Sequence, residues 1–272
     1  MNAISIGPLM FSAERFAVIL GIVAFLIVSA FLSARVDRRL DRWSGVAVML
    51  GLVMARAGHV LIYLDSFLAE PWRIFAVWQG GFSWIGGLAG VSIALLLLAR
   101  KAMPAVPWAM MAIAAGGFVW LVTWEISGTN AAPPAPDRWF TTLDGRSLNL
   151  SERANRAAVV NLWATWCPPC RREMPLLVEI ARQNPDVDFI FANQGEGRQA
   201  IEAYLDAEDI AIETLLLDQV SELSRHYAAP GMPTTLFLGA DGKMRNSHLG
   251  EISREVLVDK ISRLTRPTEN KD

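Results

Sequence analysis

The sequence predicts two units in series, an α-helical membrane bundle of about four transmembrane helices followed by an α/β domain. Three observations carry this expectation. Of the charged residues in the 272-residue chain, 15 fall in residues 1–128 and 37 in residues 129–272. Three runs hold no charged residue, Phe16 to Ala34, Ile74 to Ala99 and Ala102 to Trp124. Each is long enough to cross a hydrocarbon core of roughly 30 Å as a helix. Beyond residue 138, short apolar runs alternate with amphipathic stretches, the pattern of strands and helices around one core.

Taken in order, the first span is Phe16 to Ala34, expected to stay attached because no clear small-residue cleavage site follows it. The second is Trp43 to Leu64, apolar apart from Arg56 and His59, and the third and fourth are Ile74 to Ala99 and Ala102 to Trp124. Arg35, Arg38, Arg39 and Arg42 lie between the first two spans, and Arg100 and Lys101 between the last two, which assigns both loops to the cytoplasm. The loop Asp65 to Arg73 carries one Arg against two acids and faces outward, as do both termini. The expected location is therefore a bacterial inner membrane, with the chain multi-pass and its C-terminal half in the periplasm.

Residues 1–126 form the expected transmembrane domain, and residues 127–137 the linker, with three prolines and no periodic apolar pattern. Residues 138–272 form the α/β domain. Strands are expected at Ala157 to Trp163, Val187 to Ala192, Thr214 to Leu217, Thr234 to Leu238 and Lys243 to Leu249. Helices are expected at Pro168 to Asn184, Gln199 to Ala207, Val220 to Tyr227 and Glu255 to Leu264.

Composition excludes several classes. A net charge of −2 gives no broad basic field to neutralise phosphates, so a nucleic-acid partner is not expected. A hydrophobic share of 53% and ten Trp argue against a wholly cytosolic enzyme. The two cysteines, Cys167 and Cys170, allow at most one intramolecular disulfide. They also leave no second pair inside the membrane half to pass electrons across the bilayer.

Both cysteines sit in Trp163-Ala164-Thr165-Trp166-Cys167-Pro168-Pro169-Cys170-Arg171-Arg172-Glu173-Met174-Pro175, where a strand gives way to a helix. With Cys167 at the helix start and Cys170 one turn on, their Cβ atoms approach closely enough for a disulfide with little backbone movement. A helix N-terminus favours thiolate over thiol, and the thiolate is the attacking species. Cys167, expected to be the exposed sulfur, is therefore the nucleophile, and the shielded Cys170 resolves the mixed disulfide. Pro168 suits the first helical turn, where a missing N–H is tolerated. Zinc is the competing reading of such a pair. It wants four ligands, and this half offers only His226 and His248 besides, so no metal or other cofactor is expected.

This motif, with Gly231-Met232-Pro233-Thr234-Thr235, resembles the TlpA/ResA family of extracytoplasmic thioredoxin-like oxidoreductases over about Arg138 to Arg266. The resemblance implies a thioredoxin-like fold, a redox-active disulfide Cys167–Cys170, and a cis Pro233 facing it. Substrate contact is then assigned to Pro233, Met232 and Trp166, the last shielding the dithiol or packing ordinarily. The family places a Glu three residues after the second Cys, which here is Glu173, and a shielded carboxylate there accepts the proton of Cys170. The competing reading of Glu173 is an exposed helix charge paired with Arg171 or Arg172. Soluble thioredoxins carry a buried Asp six residues before the first Cys, where this chain has Asn161.

The segments Ile6-Gly7-Pro8-Leu9, Arg56-Ala57-Gly58-His59-Val60-Leu61 and Phe75 to Leu88 resemble the N-terminal part of prolipoprotein diacylglyceryl transferases over about the first hundred residues. Ile85 stands where that family has its catalytic His. The resemblance makes Arg56 a contact for a lipid headgroup. The alternative is an Arg that pairs with a backbone carbonyl or snorkels outward. Gly80-Gly81 and Gly86-Gly87 read as ligand cradles or as sites of close helix packing.

The expected function is a membrane-tethered thiol-disulfide oxidoreductase, a disulfide reductase by family. Its expected partners are oxidised secreted or periplasmic proteins, a separate membrane thiol donor, and membrane lipid. An oxidase or isomerase of the same fold is the alternative in direction. A lipid-transfer enzyme with an accessory thioredoxin-like domain is the alternative in class.

Overall fold

The computed structural model describes residues 3–6, 9–69, 71–77, 80–128, 133–153 and 156–266. Contacts divide the chain into two compact units, residues 11–129 and residues 130–272 together with residues 1–10. Strands β1 (Ala3–Ile6) and β2 (Leu9–Ser12) pair as a short ribbon. The helical unit follows, with α1 (Ala13–Arg35), α2 (Arg39–Ile62), the short α3 (Leu64–Ala69), α4 (Trp84–Ala102) and α5 (Val106–Gly128).

Among the described residues, three apolar helical segments are long enough to cross a membrane, Arg15–Arg35, Arg39–Ile62 and Trp84–Ile126. The last is divided where Ala102 leaves helical geometry at φ −157° and ψ 65°, and Met103–Ala105 forms a 3-10 turn that separates α4 from α5. So the expected four spans become three apolar segments, one of them built of two helices. The α4 helix also starts ten residues later than the uncharged run suggests. Pro71–Phe75 is a 3-10 turn, Gly80 and Gly81 take φ of +83° and +85°, and Ser83 Oγ caps the new helix by accepting the Gly86 N–H at 3.3 Å. Absence of charge permits burial in lipid; it does not by itself make a helix.

Inside this unit, α2 packs along α4 and α1 along α5. The glycines make that approach close. A Cβ on Gly86 would lie 2.3 Å from Met54 O, and one on Gly90 would lie 2.4 Å from Leu50 O. Gly86 thus follows the close-packing reading. Phe25, Leu32, Trp43, Ala47, Ala94 and Leu98 form a shared interior, and Trp43 Nε1 donates to Ala94 O at 2.9 Å. Ile27, Phe31, Met49 and Val53 are exposed on the outer faces, as lipid-facing residues would be.

The second unit contains β3 (Trp139–Thr141), β4 (Ser147–Asn149), β5 (Ala158–Trp163), α6 (Pro168–Gln183), β6 (Asp188–Gln194), α7 (Arg198–Glu208), β7 (Leu215–Asp218), α8 (Glu222–His226), β8 (Thr234–Leu238), β9 (Met244–Leu249) and α9 (Arg254–Thr265). Five strands form one sheet in the order β7-β6-β5-β8-β9. The β5–β6 and β6–β7 pairs are parallel, and the β5–β8 and β8–β9 pairs antiparallel. All five expected strands are present. The β3–β4 hairpin is additional, an antiparallel pair in which Trp139 opposes Asn149.

Strand β5 is buried along its whole length, and its alternation sorts two cores. Val159 and Trp163 join Met174, Leu177 and Phe237 on one face; Ala158, Val160 and Leu162 join Leu216, Leu236 and Leu238 on the other. Each fully buried Leu or Phe contributes about 1.5–3 kcal/mol. Helix α6 presents Cys170, Glu173, Met174 and Leu177 to the first face, so the dithiol and the carboxyl rest on the same side of β5.

Ser127 and Gly128 belong to α5, and residues 129–132 lie outside the described residues. Ala135 is buried, its N–H donates to Gly242 O at 2.8 Å, and Met244 N–H donates to Pro133 O at 3.3 Å. A proline-rich segment has few N–H groups, yet its carbonyls still accept from a neighbouring strand.

Candidate active site

Cys167 is the N-cap of α6, in extended backbone at φ −90° and ψ 105°, and its sulfur accepts the Cys170 N–H at 3.3 Å. Pro168 and Pro169 occupy the first two helical positions and carry no N–H. The Cys170 amide is therefore the first one the helix terminus offers, and it points at Cys167 Sγ. The two cysteines form a disulfide with Cα atoms 5.3 Å apart. Cys170 is fully buried, as expected. Cys167 is only 3% exposed, against the expectation of an open sulfur, because it is part of the core that holds Trp163, Ala164 and Met174.

Glu173 lies three residues beyond Cys170, on the same buried face of α6. It is 2% exposed, so the reading as a solvated helix charge is excluded. Its supposed partners are engaged elsewhere, Arg171 with Glu208 at 2.5 Å and Arg172 with Glu251 at 2.8 Å. Glu173 Oε1 accepts from Asn161 Nδ2 at 2.9 Å, and Oε2 accepts from the Ile252 N–H at 3.0 Å. Burial pushes the carboxyl up to about 8, and those two hydrogen bonds oppose the rise without cancelling it.

The Met232–Pro233 peptide is cis. Pro233 is buried, and Met232 packs against the cluster that includes both cysteines. Trp166 is 66% exposed, so its ring stands largely in solvent instead of covering the sulfurs. Glu196 was not singled out from the sequence. It holds the turn before Cys167 by accepting the Thr165 N–H at 2.7 Å and the Asn193 Nδ2 at 2.7 Å. Nothing in the local sequence marks it, since the contact joins residues 31 apart.

In the helical unit, Arg56 donates to four backbone carbonyls. Nε bonds Ile74 O at 3.0 Å, Nη1 bonds Gly80 O at 2.7 Å and Gly81 O at 3.0 Å, and Nη2 bonds Arg73 O at 2.7 Å. Its guanidinium also lies over the Phe67 ring at 5.4 Å. This is the carbonyl-pairing alternative, and it turns Arg56 into a strut for the loop between α3 and α4. His59, one turn on, is buried and packs against Tyr63, with ring centres 4.8 Å apart and the planes inclined at 50°. Gly7, Pro8, Trp78 and Gln79 of the transferase-like segments lie outside the described residues.

A disulfide capping a helix that leaves the central strand of a mixed sheet, with a cis proline preceding the antiparallel neighbour of that strand, defines a thioredoxin-like redox site. Residues 130–263 match the Redoxin family model, and residues 2–122 match the model of prolipoprotein diacylglyceryl transferase. The chain is thus similar to the Redoxin family over its C-terminal part and to the diacylglyceryl transferase family over its N-terminal part. It is 28% identical over 140 residues to the thioredoxin-like protein YneN of Bacillus subtilis, covering 49% of this chain and 80% of that protein. It is 28% identical over 123 residues to the thiol-disulfide oxidoreductase ResA of Geobacillus thermodenitrificans, covering 44% of this chain and 70% of that one. A thiol:disulfide interchange protein from Chlorobium tepidum aligns at 24% identity and a TM-score of 0.44, over 50% of this chain and 97% of that one.

Proposed function

We propose that this chain is a membrane-tethered, extracytoplasmic thiol-disulfide oxidoreductase that reduces disulfides in secreted or periplasmic proteins. The observation that carries the reading is the Cys167–Cys170 disulfide at the α6 N-terminus with Glu173 buried one turn further on. In the reduced protein the Cys167 thiolate attacks a substrate disulfide, forming a mixed disulfide and expelling one substrate thiolate. Cys170 then gives its proton to Glu173 and attacks Cys167 Sγ. The mixed disulfide breaks, the second substrate thiolate leaves and is protonated, and Cys167–Cys170 is oxidised. Two electrons have passed to the substrate.

Pro233, Met232 and Trp166 line the approach, with exposed Trp166 available to a protein substrate. Resetting the dithiol needs two electrons from a separate membrane thiol donor, because this chain has no further cysteine. In this reading residues 1–126 tether the catalytic domain, residues 138–272, through residues 127–137. The Lys and Arg of the loops at residues 35–42 and 100–101 support a periplasmic position for that domain. Membrane lipid meets the exposed apolar helix faces, and a headgroup contact of Arg56 is the remaining element.

Cys170→Ser tests the reading. The variant is expected to accumulate mixed disulfides with periplasmic proteins, and a variant that captures none overturns it. In-cell alkylation of the wild-type protein reads the direction: a mainly dithiol state supports a reductase, and a mainly disulfide state favours an oxidase or isomerase.

A further inference from the structure

As acceptor of the Cys170 proton, Glu173 must gain and then release a proton in every catalytic cycle, and its neighbour across the sheet suits that demand. Asn161 sits in the middle of β5, 2% exposed, directly opposite Thr235 of β8. Strand alternation turns both side chains to the face covered by α6. Asn161 Nδ2 donates to Glu173 Oε1 at 2.9 Å and to Thr235 Oγ1 at 3.2 Å, while Asn161 Oδ1 is buried with no hydrogen-bond partner. We propose that Asn161 is a positioning residue of the exchange reaction, its amide turning over to hold Glu173 both as carboxylate and as carboxylic acid. This rests on the reading of Glu173 as the group that accepts the Cys170 proton.

The inventory of donors and acceptors explains why an amide suits the position. A carboxylate accepts only, and a carboxylic acid must also place an O–H. In the orientation observed, Nδ2 faces Glu173 and Thr235 and serves the carboxylate. Turned by about 180° around its last side-chain torsion, the same amide presents Oδ1, which accepts from protonated Oε1 and from the Thr235 hydroxyl. The hydroxyl changes from acceptor to donor by rotating its hydrogen. Each orientation makes two hydrogen bonds and leaves one amide atom unpaired, so neither protonation state forfeits its partner. The Ile252 N–H stays on Oε2 throughout.

The other ionisable groups near Glu173 come from several elements. Arg172 of α6 is paired with Glu251 in the loop after β9, Cys170 shares its helix face, and His248 of β9 stands opposite Thr235. Glu251 favours the acid form of Glu173 and Arg172 favours the carboxylate. An aspartate at position 161 would add a further carboxyl in direct contact, and two such groups share a proton.

The test uses the reduced full-length chain in detergent, mixed with a chromogenic aryl disulfide. The first released thiolate reports attack by Cys167 and the second reports resolution by Cys170, each followed against pH. In the wild type the second phase is expected to show an inflection that Glu173→Gln removes. Asn161→Asp is expected to raise that inflection by about one pH unit or more. Asn161→Leu is expected to slow the second phase by about tenfold and leave the first unchanged. Asn161→Ser keeps a group that both donates and accepts, and is expected to restore most of the second-phase rate; it also covers failure of the larger substitutions to fold. An inflection and second-phase rate at wild-type values in all folded Asn161 variants overturn the inference and leave the role of Glu173 standing. A profile unchanged in Glu173→Gln overturns both.

Discussion

Arg56 in the helical unit and Glu173 in the α/β unit are both ionisable side chains held largely by backbone and buried groups, and the two units treat them differently. Arg56 faces four carbonyls at 2.7–3.0 Å, acceptors that suit only the charged, donating guanidinium. Glu173 has two donors, one of them an amide able to reverse its role, and burial brings its titration up to about 8. A group whose surroundings fix one protonation state is a structural member. A group whose surroundings accommodate two is equipped to move a proton. The difference separates the helical unit from the α/β unit, and each variant below acts on one side of it.

The largest effect is expected at the sulfurs. Cys167→Ser removes the nucleophile and should lower substrate-disulfide reduction by at least about three orders of magnitude, the scale of losing such a group. Cys170→Ser should keep the first attack and halt at the mixed disulfide. Gel-shift analysis after alkylation reads both. Neither should alter the helical unit, and an equal loss from variants confined to residues 16–126 would break the comparison.

Glu173→Gln comes next, with an effect on rate and another on stability. Loss of a proton acceptor should slow resolution by about 10²-fold. For stability, the folded group releases its proton near 8 and the unfolded one near 4.5. Between those values the unfolded chain has already lost the proton that the folded chain keeps. Stability therefore falls as pH rises through this window, by about 1.4 kcal/mol per unit at most, and is independent of this residue below and above it. Hydrogen exchange of β5 and α6 amides at pH 5 and pH 8 measures the slope, which Glu173→Gln should remove.

Arg56→Ala should act on the other unit alone. Four carbonyls lose a charged donor, and a loss of about 3 kcal/mol is expected, which Arg56→Lys recovers poorly because an ammonium lacks the planar fork. Detergent unfolding of the helical unit gives the first number, and the rate of disulfide reduction by the same sample gives the second, expected unchanged. Unaltered unfolding together with lost binding of anionic lipid would make Arg56 a ligand residue instead of a strut.

How much of this was legible depends on how far apart the cooperating residues lie. The continuous apolar run of β5, the amphipathic α6 and the cysteine spacing are local, and they stand within a residue or two of the expected places. Glu173 was identified by its position after Cys170, but its partners come from residues 12 and 79 positions away: Asn161, which the sequence marked only by its place six residues before Cys167, and Ile252, which no local pattern announces. The β3–β4 hairpin is short and half polar, so it has no apolar run to betray it. The uncharged stretch from Ile74 hid the end of a loop, because two glycines at positive φ and a serine cap set the start of α4. Hydropathy reports the solvent a segment tolerates; turn chemistry decides where a helix begins.

The smallest expected effect lies beside the active site. Arg171 follows Cys170 directly and pairs with Glu208 of α7 at 2.5 Å, and its guanidinium lies 5.4 Å from the centre of the Tyr204 ring. Proximity in sequence suggests importance, but both partners are half exposed, at 50% and 40%. Exposed pairs of this kind are worth about 0.2–1 kcal/mol, and salt screens them further. Arg171→Gln keeps the stem over Tyr204 and removes only the charge. It should change the stability of the α/β unit by about 0.5 kcal/mol or less and leave the pH profile of resolution where Glu173 sets it. A displaced inflection would show that the surface charges around α6 help set the proton affinity of the buried carboxyl, and the comparison with Arg56 would then need the whole helix face in place of one residue and its hydrogen bonds.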